Sequence, residues 1–318
     1  MIVVLTGGTG GAKFVEGLHR LVPAQQLTCI VNTGDDFMWW GLHISPDLDS
    51  ITYALAGLLS PERGWGIEED TFFCLQTMRE LGEPSWFQTG DRDLAIHLLR
   101  SMVLAEGRSL SEATATITAK LGINARILPM TDSPVETRIA TPDGDLNFQE
   151  YFVKRHHQDP VKSVHFKGAA EAQPAPGVID TIHTASAVIV APSNPITSIG
   201  PILAVPGIRE ALRATPARVV AISPIIGNTA VSGPAGALMA AQGYPVSIAG
   251  VAQAYADFLD MLVVDRRDAA AAKELNRPGL LVHCDNTVMR TTDEKTRLAE
   301  AVLALLGEQN SGPASNLS

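Results

Sequence analysis

The chain has 318 residues, 46% of them hydrophobic, enough to bury a large core, and its net charge of −10 excludes a basic nucleic-acid surface. Any phosphate ligand must then be held by local devices: loop amides, a few lysines or arginines, or a metal ion. The cysteines (Cys29, Cys74, Cys284) form no C-x-x-C pair, no apolar run is long enough to span a bilayer, and the chain starts in a strand with no basic leader, so a cytoplasmic, membrane-free setting is expected.

In chain order, a β-branched strand over residues 2–6 stops at Gly7-Gly-Thr-Gly-Gly-Ala-Lys13, and a helix pattern over 12–22 follows. Strand, glycine turn and helix make a phosphate cradle in α/β proteins, because glycines admit the ligand and free N–H groups at the helix start attract anions. Gly8, Gly10 and Lys13 read G-x-G-x-x-K, with lysine where the dinucleotide fingerprint has its third glycine, and the Gly-Lys-Ser/Thr ending of a P-loop is missing. The alternative is a plain strand-to-helix turn. A second strand over 27–32 completes a βαβ unit and ends in Asn32-Thr-Gly-Asp-Asp36, so the glycine loop and Asp35-Asp36 are expected to face one crevice.

Residues 50–124 read as a mainly helical insertion, with runs over 53–59, 71–81, 93–104 and 111–121 and a capping box at Ser109-Leu-Ser-Glu112. Residues 125–168 read as a β-hairpin region, turning at Pro142-Asp-Gly144. The α/β pattern then returns: strands over 187–191, 218–222, 261–264 and 279–282, helices over 206–212 and 236–242, and a closing amphipathic helix over 292–306. Residues 1–308 are read as one α/β domain, and the Ser/Asn/Gly/Pro-rich residues 309–318 as a disordered tail.

Three groupings carry chemistry. Asp35, Asp36, Asp47 and Asp49 gather around the first crevice; close carboxylates repel, and such a cluster holds a cation or keeps a proton. With a phosphate loop nearby, Mg²⁺ on Asp35, Asp36 and Asp49 is expected, against the alternative of an acidic loop with a helix cap at Asp49. Gly90-Asp-Arg-Asp93 opens a helix, and Arg92 is either a guanidinium fork for a ligand or an ordinary surface ion-pair partner. Ser193-Asn-Pro-Ile-Thr-Ser-Ile-Gly200 and the Ser223–Thr229 loop supply hydroxyls and amides at two strand ends, as a nucleotide site requires. Trp39, Trp40, Trp65 and Trp86 all precede residue 90; they read as the core of the insertion or as a wall for a flat ring. No Ser-His-Asp, Cys-His or zinc pattern is present, and His156-His157 reads as surface.

Gly7–Lys13, Asn32–Asp36, Pro46-Asp-Leu-Asp49, Gly64-Trp-Gly66, Gly90–Asp93, Leu128-Pro-Met-Thr-Asp132, Phe148-Gln-Glu-Tyr-Phe152, Ala191-Pro-Ser-Asn-Pro195 and Ser198-Ile-Gly-Pro-Ile202 together resemble the CofD family of 2-phospho-L-lactate transferases of coenzyme F-420 biosynthesis. The resemblance runs to about Leu306. It implies a Rossmann-like three-layer α/β/α core with a parallel sheet and an inserted helical region. It also implies transfer of a phosphorylated three-carbon acid (phospholactate, phosphoenolpyruvate or phosphoglycerate) from its guanosine diphosphate adduct to the terminal ribityl hydroxyl of the deazaflavin Fo. It implies further that GMP leaves, that Mg²⁺ assists and that the enzyme is a homodimer. Fo contacts carry over onto Asp49 and Arg92. Nucleotide contacts carry over onto Gly8, Thr9, Gly10, Gly11, Lys13, Asn32, Ser193, Asn194, Ser198, Gly200 and Asn228, and catalysis onto Asp49, Asp36 and Asp35. Phosphoryl-type transfer needs positioning and charge neutralisation more than a covalent nucleophile, which accords with the missing triad. In one departure, Ser232 and Ala237 stand where many relatives carry lysines. Two other readings are a nucleotide-binding regulator of the related gluconeogenesis-factor type and a nicotinamide oxidoreductase, the latter weakened by Lys13.

Overall fold

The computed structural model describes residues 1–308; the tail expected to be disordered lies outside the described residues. The chain runs β1 (Ile2–Thr6), α1 (Gly8–His19), β2 (Leu27–Val31), β3 (Phe37–Trp39), β4 (Leu42–Ile44), α2 (Pro46–Ala56), α3 (Phe73–Glu80), α4 (Asp91–Ala105) and α5 (Leu110–Lys120). It continues through β5 (Arg126–Pro129), β6 (Glu136–Thr141), β7 (Gly144–Asn147), β8 (Ser163–Lys167), α6 (Val178–His183), β9 (Ala187–Val190), α7 (Gly200–Ala204), α8 (Ile208–Ala214) and β10 (Arg218–Ile222). The last elements are β11 (Ile225–Ile226), β12 (Thr229–Ala230), α9 (Ala235–Ala241), α10 (Ile248–Ala254), β13 (Met261–Asp265), α11 (Ala269–Leu275), β14 (Leu281–Asp285) and α12 (Thr292–Glu308).

Seven parallel strands form the central sheet in the order β14-β13-β10-β9-β1-β2-β5. The chain works outward from β1 through β2 to β5, then restarts at β9 on the other side of β1. This reversal opens a crevice beyond the carboxyl ends of β1 and β9, the position where open α/β sheets bind ligands. Successive side chains of β1 serve both faces: Val3 and Leu5 join one core, Val4 the other. The Val4 side packs against α1 (Phe14, Leu18), α2 (Leu48, Ile51) and α12 (Leu298, Val302). The opposite side packs against α6, α8, α9, α10 and the small antiparallel sheet β7-β6-β8. Strands buried on both faces read as continuous apolar runs, which is why the sequence pattern locates them.

Four boundaries differ from the sequence expectation. Helix α1 starts at Gly8 rather than 12, so the glycines form its first turn instead of a separate loop. Helix α2 starts at Pro46, which is preorganised for a first helical position, so Asp47 and Asp49 lie in its first turn. Residues 126–129, expected within the hairpin region, form edge strand β5 of the central sheet; a four-residue strand beginning in arginine leaves little pattern. The hairpin itself, β6–β7, turns where expected and gains β8 as a third strand. The short hairpin β3–β4 has no counterpart in the sequence reading. Strand β14 starts at Leu281, because Arg277 and Leu280 close a turn over the glycine at 279. The capping box at Ser109 and Glu112 is present, each side chain bonding the other's backbone N–H.

Candidate functional site

Gly7 leaves β1 in an extended conformation, and Gly8 (φ 65°) turns the chain into α1. No residue of α1 itself caps its start or places an acid in its first turn, but the Asp47 carboxylate from α2 accepts the Gly8 N–H. The first-turn N–H groups that follow Gly8 are available to an anion. The neighbouring glycines have a different role from the expected ligand approach. A Cβ on Gly10 would overlap the Pro192 carbonyl, and one on Gly11 would overlap Thr6 Oγ1 and stand 2.7 Å from Ser193 Oγ. They let α1 press against the loop after β9. Ser193 closes the same junction, donating to the Gly7 carbonyl (2.7 Å) and accepting from the Gly7 N–H (3.2 Å).

The crevice widens into a cavity of about 790 Å³. Gly7, Gly8, Thr9, Gly10 and Lys13 form its floor, and Pro192–Asn194, Thr197 and Ser198 one side. The β11–β12 hairpin and residues 231–235, with Arg267 and residues 287–290, form the opposite rim. Asp35, Asp47, Asp49, Tyr53, Asp93 and His97 line the end toward α2 and α4, where Trp65, Phe87, Phe148 and Phe152 add aromatic surface. The structure thus brings together Gly8, Thr9, Gly10, Lys13, Asp35, Asp49, Ser193, Asn194 and Ser198. Lys13 is half-buried, lies against Gly64 and has no carboxylate partner among the described residues.

The other expected residues stand outside this wall. Gly11 and Gly200 are packing glycines; a Cβ on Gly200 would crowd the Phe166 ring at 2.9 Å. Asn228 is exposed at the tip of the β11–β12 hairpin. Asn32 is buried behind the wall, donating to Asp47 Oδ2 (2.9 Å) and to the Thr197 carbonyl (3.2 Å), and it orients Asp47 rather than touching a ligand. Asp36 also lies behind the wall, taking the Ser45 hydroxyl at 2.7 Å. Arg92 is exposed, and its guanidinium reaches the Glu68 carbonyl at 3.1 Å.

Burial dominates the wall's electrostatics. It raises Asp47 to about 6, opposed by hydrogen bonds from Asn32 and the Gly8 N–H. Asp35 is pushed well above the usual carboxylate range by burial and then by the charge of Asp47, and its Oδ1 has no hydrogen-bond partner. Two adjacent carboxylates short of positive charge are a hard-oxygen site fitted to a divalent cation.

Asp49 is compensated differently. Both of its oxygens face the buried Arg100 guanidinium, one at 3.2 Å. His97 Nδ1 lies 3.4 Å from Asp49 Oδ2, and His97 Nε2 lies 3.4 Å from Asp93 Oδ1, which also accepts the Tyr53 hydroxyl. Asp49 thus faces an arginine, and with Asp93 and His97 it also offers atoms of metal-ligating type that all lie within 4.8 Å of one another; Asp47, left out of the expected cation set, lies beside Asp35. Asp93, His97 and Arg100 recur at four- and three-residue steps, so one face of α4 carries all three. The D-x₃-H-x₂-R spacing puts these residues on one helix face but carries no sign that the face is buried.

Gly90-Asp-Arg-Asp93 divides its work. Asp91 caps α3, accepting from the Thr71 hydroxyl and from the Phe73 and Cys74 N–H groups (2.5, 3.0 and 2.9 Å). Asp70 reciprocally caps α4 through the Arg92 and Asp93 N–H groups (2.8 and 3.0 Å), and a side chain on Gly90 would collide with it. Trp39, Trp40, Trp86, Phe37 and Phe87 stack chiefly on one another, as the core of a small aromatic cluster. Of the tryptophans, Trp65 alone reaches the cavity.

Over residues 2–302 the chain matches the family model described as 2-phospho-L-lactate transferase CofD. It is 42% identical over 302 residues to a 2-phospho-L-lactate transferase of Methanosarcina mazei, covering 95% of this chain and 99% of the relative. It is 41% identical over 313 residues to a phosphoenolpyruvate transferase of Streptomyces griseus, covering 96% and 98%. Its fold is similar to the crystal structure of a UPF0052 family member from Bacillus halodurans, with a TM-score of 0.66 over 95% of this chain and 98% of that one. At 18% identity this last likeness speaks for the α/β fold alone.

Proposed function

We propose, for a chain that belongs to the CofD family of 2-phospho-L-lactate transferases, that it moves a phosphorylated three-carbon acid from a guanosine diphosphate adduct to the terminal ribityl hydroxyl of Fo and releases GMP. One observation carries this reading. A single cavity of about 790 Å³ joins the glycine-rich N-terminal turn of α1 and Lys13, suited to a diphosphate, to a carboxylate-lined, aromatic-edged end suited to a flat ring with a hydroxylated chain.

In the reaction the acceptor hydroxyl attacks the distal phosphorus. A new P–O bond forms, the bond to the GMP oxygen breaks, and its electron pair leaves with GMP. The first-turn amides of α1 and Lys13 hold the diphosphate in line. Asp49, fixed by Arg100, accepts the hydrogen bond of the attacking hydroxyl and receives its proton as the new bond forms. A loose transition state asks for this orientation more than for a strong base. Asp35 and Asp47 would hold Mg²⁺, which supplies charge neutralisation for the diphosphate when bound. Ser193 and Asn194 act as scaffolding: both Asn194 Oδ1 bonds go to backbone N–H groups of its own loop. Arg92 would meet Fo only where the ring projects beyond the cavity.

The test incubates the protein with Mg²⁺, Fo and the guanosine diphosphate adduct of phospholactate, phosphoenolpyruvate or phosphoglycerate, and measures GMP. Release with one donor identifies the acid; no release with any of the three overturns the reading. The same reading carries a homodimer and a cytoplasmic setting, the former checked by sedimentation. No described helix is long and apolar enough to cross a membrane.

A further inference from the structure

The cluster at the α2–α4 end of the cavity contains a histidine that the reaction as described leaves idle. His97 is 1% exposed, yet it borders the cavity. A core histidine ordinarily satisfies one nitrogen with a backbone carbonyl. Here each ring nitrogen faces a cavity-lining carboxylate, Asp49 at Nδ1 and Asp93 at Nε2, both at 3.4 Å. The Nδ1 side also meets the Arg100 guanidinium at 3.5 Å. These separations exceed a close hydrogen bond, and contacts of this kind tighten when a ligand closes the site. The ring stands between Asp49 and Asp93, the latter one turn earlier on α4.

We propose that His97 is a positioning residue for Asp49: through its Nδ1 side it fixes the Asp49–Arg100 pair at the angle that meets the acceptor hydroxyl. Asp93 and Tyr53 anchor the far side of the ring, the Tyr53 hydroxyl donating to the same oxygen that faces Nε2. The chain of contacts runs Tyr53, Asp93, His97, Asp49, with only the last meeting the reacting hydroxyl. This inference rests on the acceptor-side reading above.

Two amide replacements separate the ring's two faces. His97→Asn keeps a polar group near the Nδ1 position; His97→Gln keeps one near Nε2. Each is measured for GMP release against Fo concentration, for guanosine diphosphate affinity and for melting temperature. The expected result is that His97→Asn retains kcat within about threefold, while His97→Gln loses tenfold or more in kcat. Guanosine diphosphate affinity stays unchanged in both, and the two melt together. Arg100→Lys, which offers Asp49 one donor in place of a fork, repeats the loss in kcat without loss of nucleotide affinity. Equal kcat in the two amide variants, or losses that follow melting temperature, overturns the proposal and leaves His97 a packing residue. Failure of both amide variants to fold has the same meaning. Wild-type GMP release tests the function itself, so the two failures are distinguishable.

Discussion

Replacing Asp49 by asparagine removes the charge that Arg100 is buried to meet. The Arg100 side chain is 2% exposed, and its Nε has no partner. Burial alone would lower its proton affinity, but Asp49 more than offsets this and holds it above the usual arginine value. The guanidinium therefore cannot escape its burial by losing a proton. Breaking a buried pair from one side costs about 3–5 kcal/mol, because the surviving charge is left uncompensated. Asp93 and His97 lie in the same cluster and absorb part of the loss, which places the expectation at the lower end, about 3 kcal/mol. In a domain of this size each kcal/mol moves the melting temperature by roughly 2 °C, so a fall of about 6 °C is expected. Scanning calorimetry of wild type and Asp49→Asn, paired with GMP release at 25 °C, reads stability and turnover separately. The double variant Asp49→Leu/Arg100→Met should recover most of the lost stability while remaining inactive, since an apolar pair of similar volume replaces a buried ion pair at little cost. A single variant melting within 1 °C of wild type would refute the reasoning, and with it the assignment of Arg100 as the partner of Asp49.

Three further outcomes are expected. Between about pH 4 and 6, Asp47, raised to about 6, holds a proton in the folded chain that the unfolded chain, at about 4, has released. Its contribution to stability is complete below pH 4 and lost as pH rises through 6. Mg²⁺ should accordingly raise the melting temperature at pH 7.5 and have almost no effect at pH 4.5; an equal shift at both refutes the cation assignment. Lys13→Ala should weaken guanosine diphosphate binding about tenfold by calorimetry without changing melting temperature, since Lys13 has no ion-pair partner among the described residues; unchanged affinity removes it from the phosphate site. Gly17→Ala should destabilise by about 1–3 kcal/mol, because a Cβ there overlaps the Lys295 backbone where α12 crosses α1. Urea denaturation checks it, and an unchanged midpoint contradicts the close packing.

The parallel sheet was readable because strands buried on both faces leave unbroken apolar runs. The edge strand β5 and the hairpin β3–β4 were not, since three- and four-residue strands are too short for a period to declare itself. In the site, Asp35 and Lys13 follow from their place just beyond strand ends. Arg100 could not be read this way: nothing local distinguishes a buried arginine from one on a helix surface. Its importance depends on α2 presenting Asp49 to α4 across 51 residues. Asn32 and Asn194 look like ligand contacts in sequence because amides serve turns and ligands alike. The geometry gives Asn32 to Asp47 and to backbone, while Asn194 braces its loop through Oδ1 and also lines the cavity.

A chain with a net charge of −10 that takes up a nucleotide diphosphate has to create positive potential locally. Helices α1, α2, α9 and α12 begin beside the cavity, but α2 carries Asp47 and Asp49 in its first turn, and α12 is closed to anions: Glu294 already accepts from the Arg290 and Thr291 N–H groups. Helix α1, beyond the Gly8 N–H that Asp47 takes, and the short α9 remain open to the cavity. Of the cations at the rim, Arg267 is bound to Asp265, leaving Lys13 and Arg290. Against them stand Asp35 and Asp47. Two unit charges ~6 Å apart at an effective dielectric of ~20 repel by about 3 kcal/mol, enough to cancel a helix terminus and a lysine together. Diphosphate binding is therefore expected to require a divalent cation and to vanish in EDTA. In the variant Asp35→Asn/Asp47→Asn the repulsion is gone, so binding should persist in EDTA and lose its Mg²⁺ dependence. Calorimetric titration with guanosine diphosphate in the presence and absence of Mg²⁺ decides it. Metal-independent binding by the wild type would mean that the carboxylates face the acceptor alone, and that the cation belongs elsewhere.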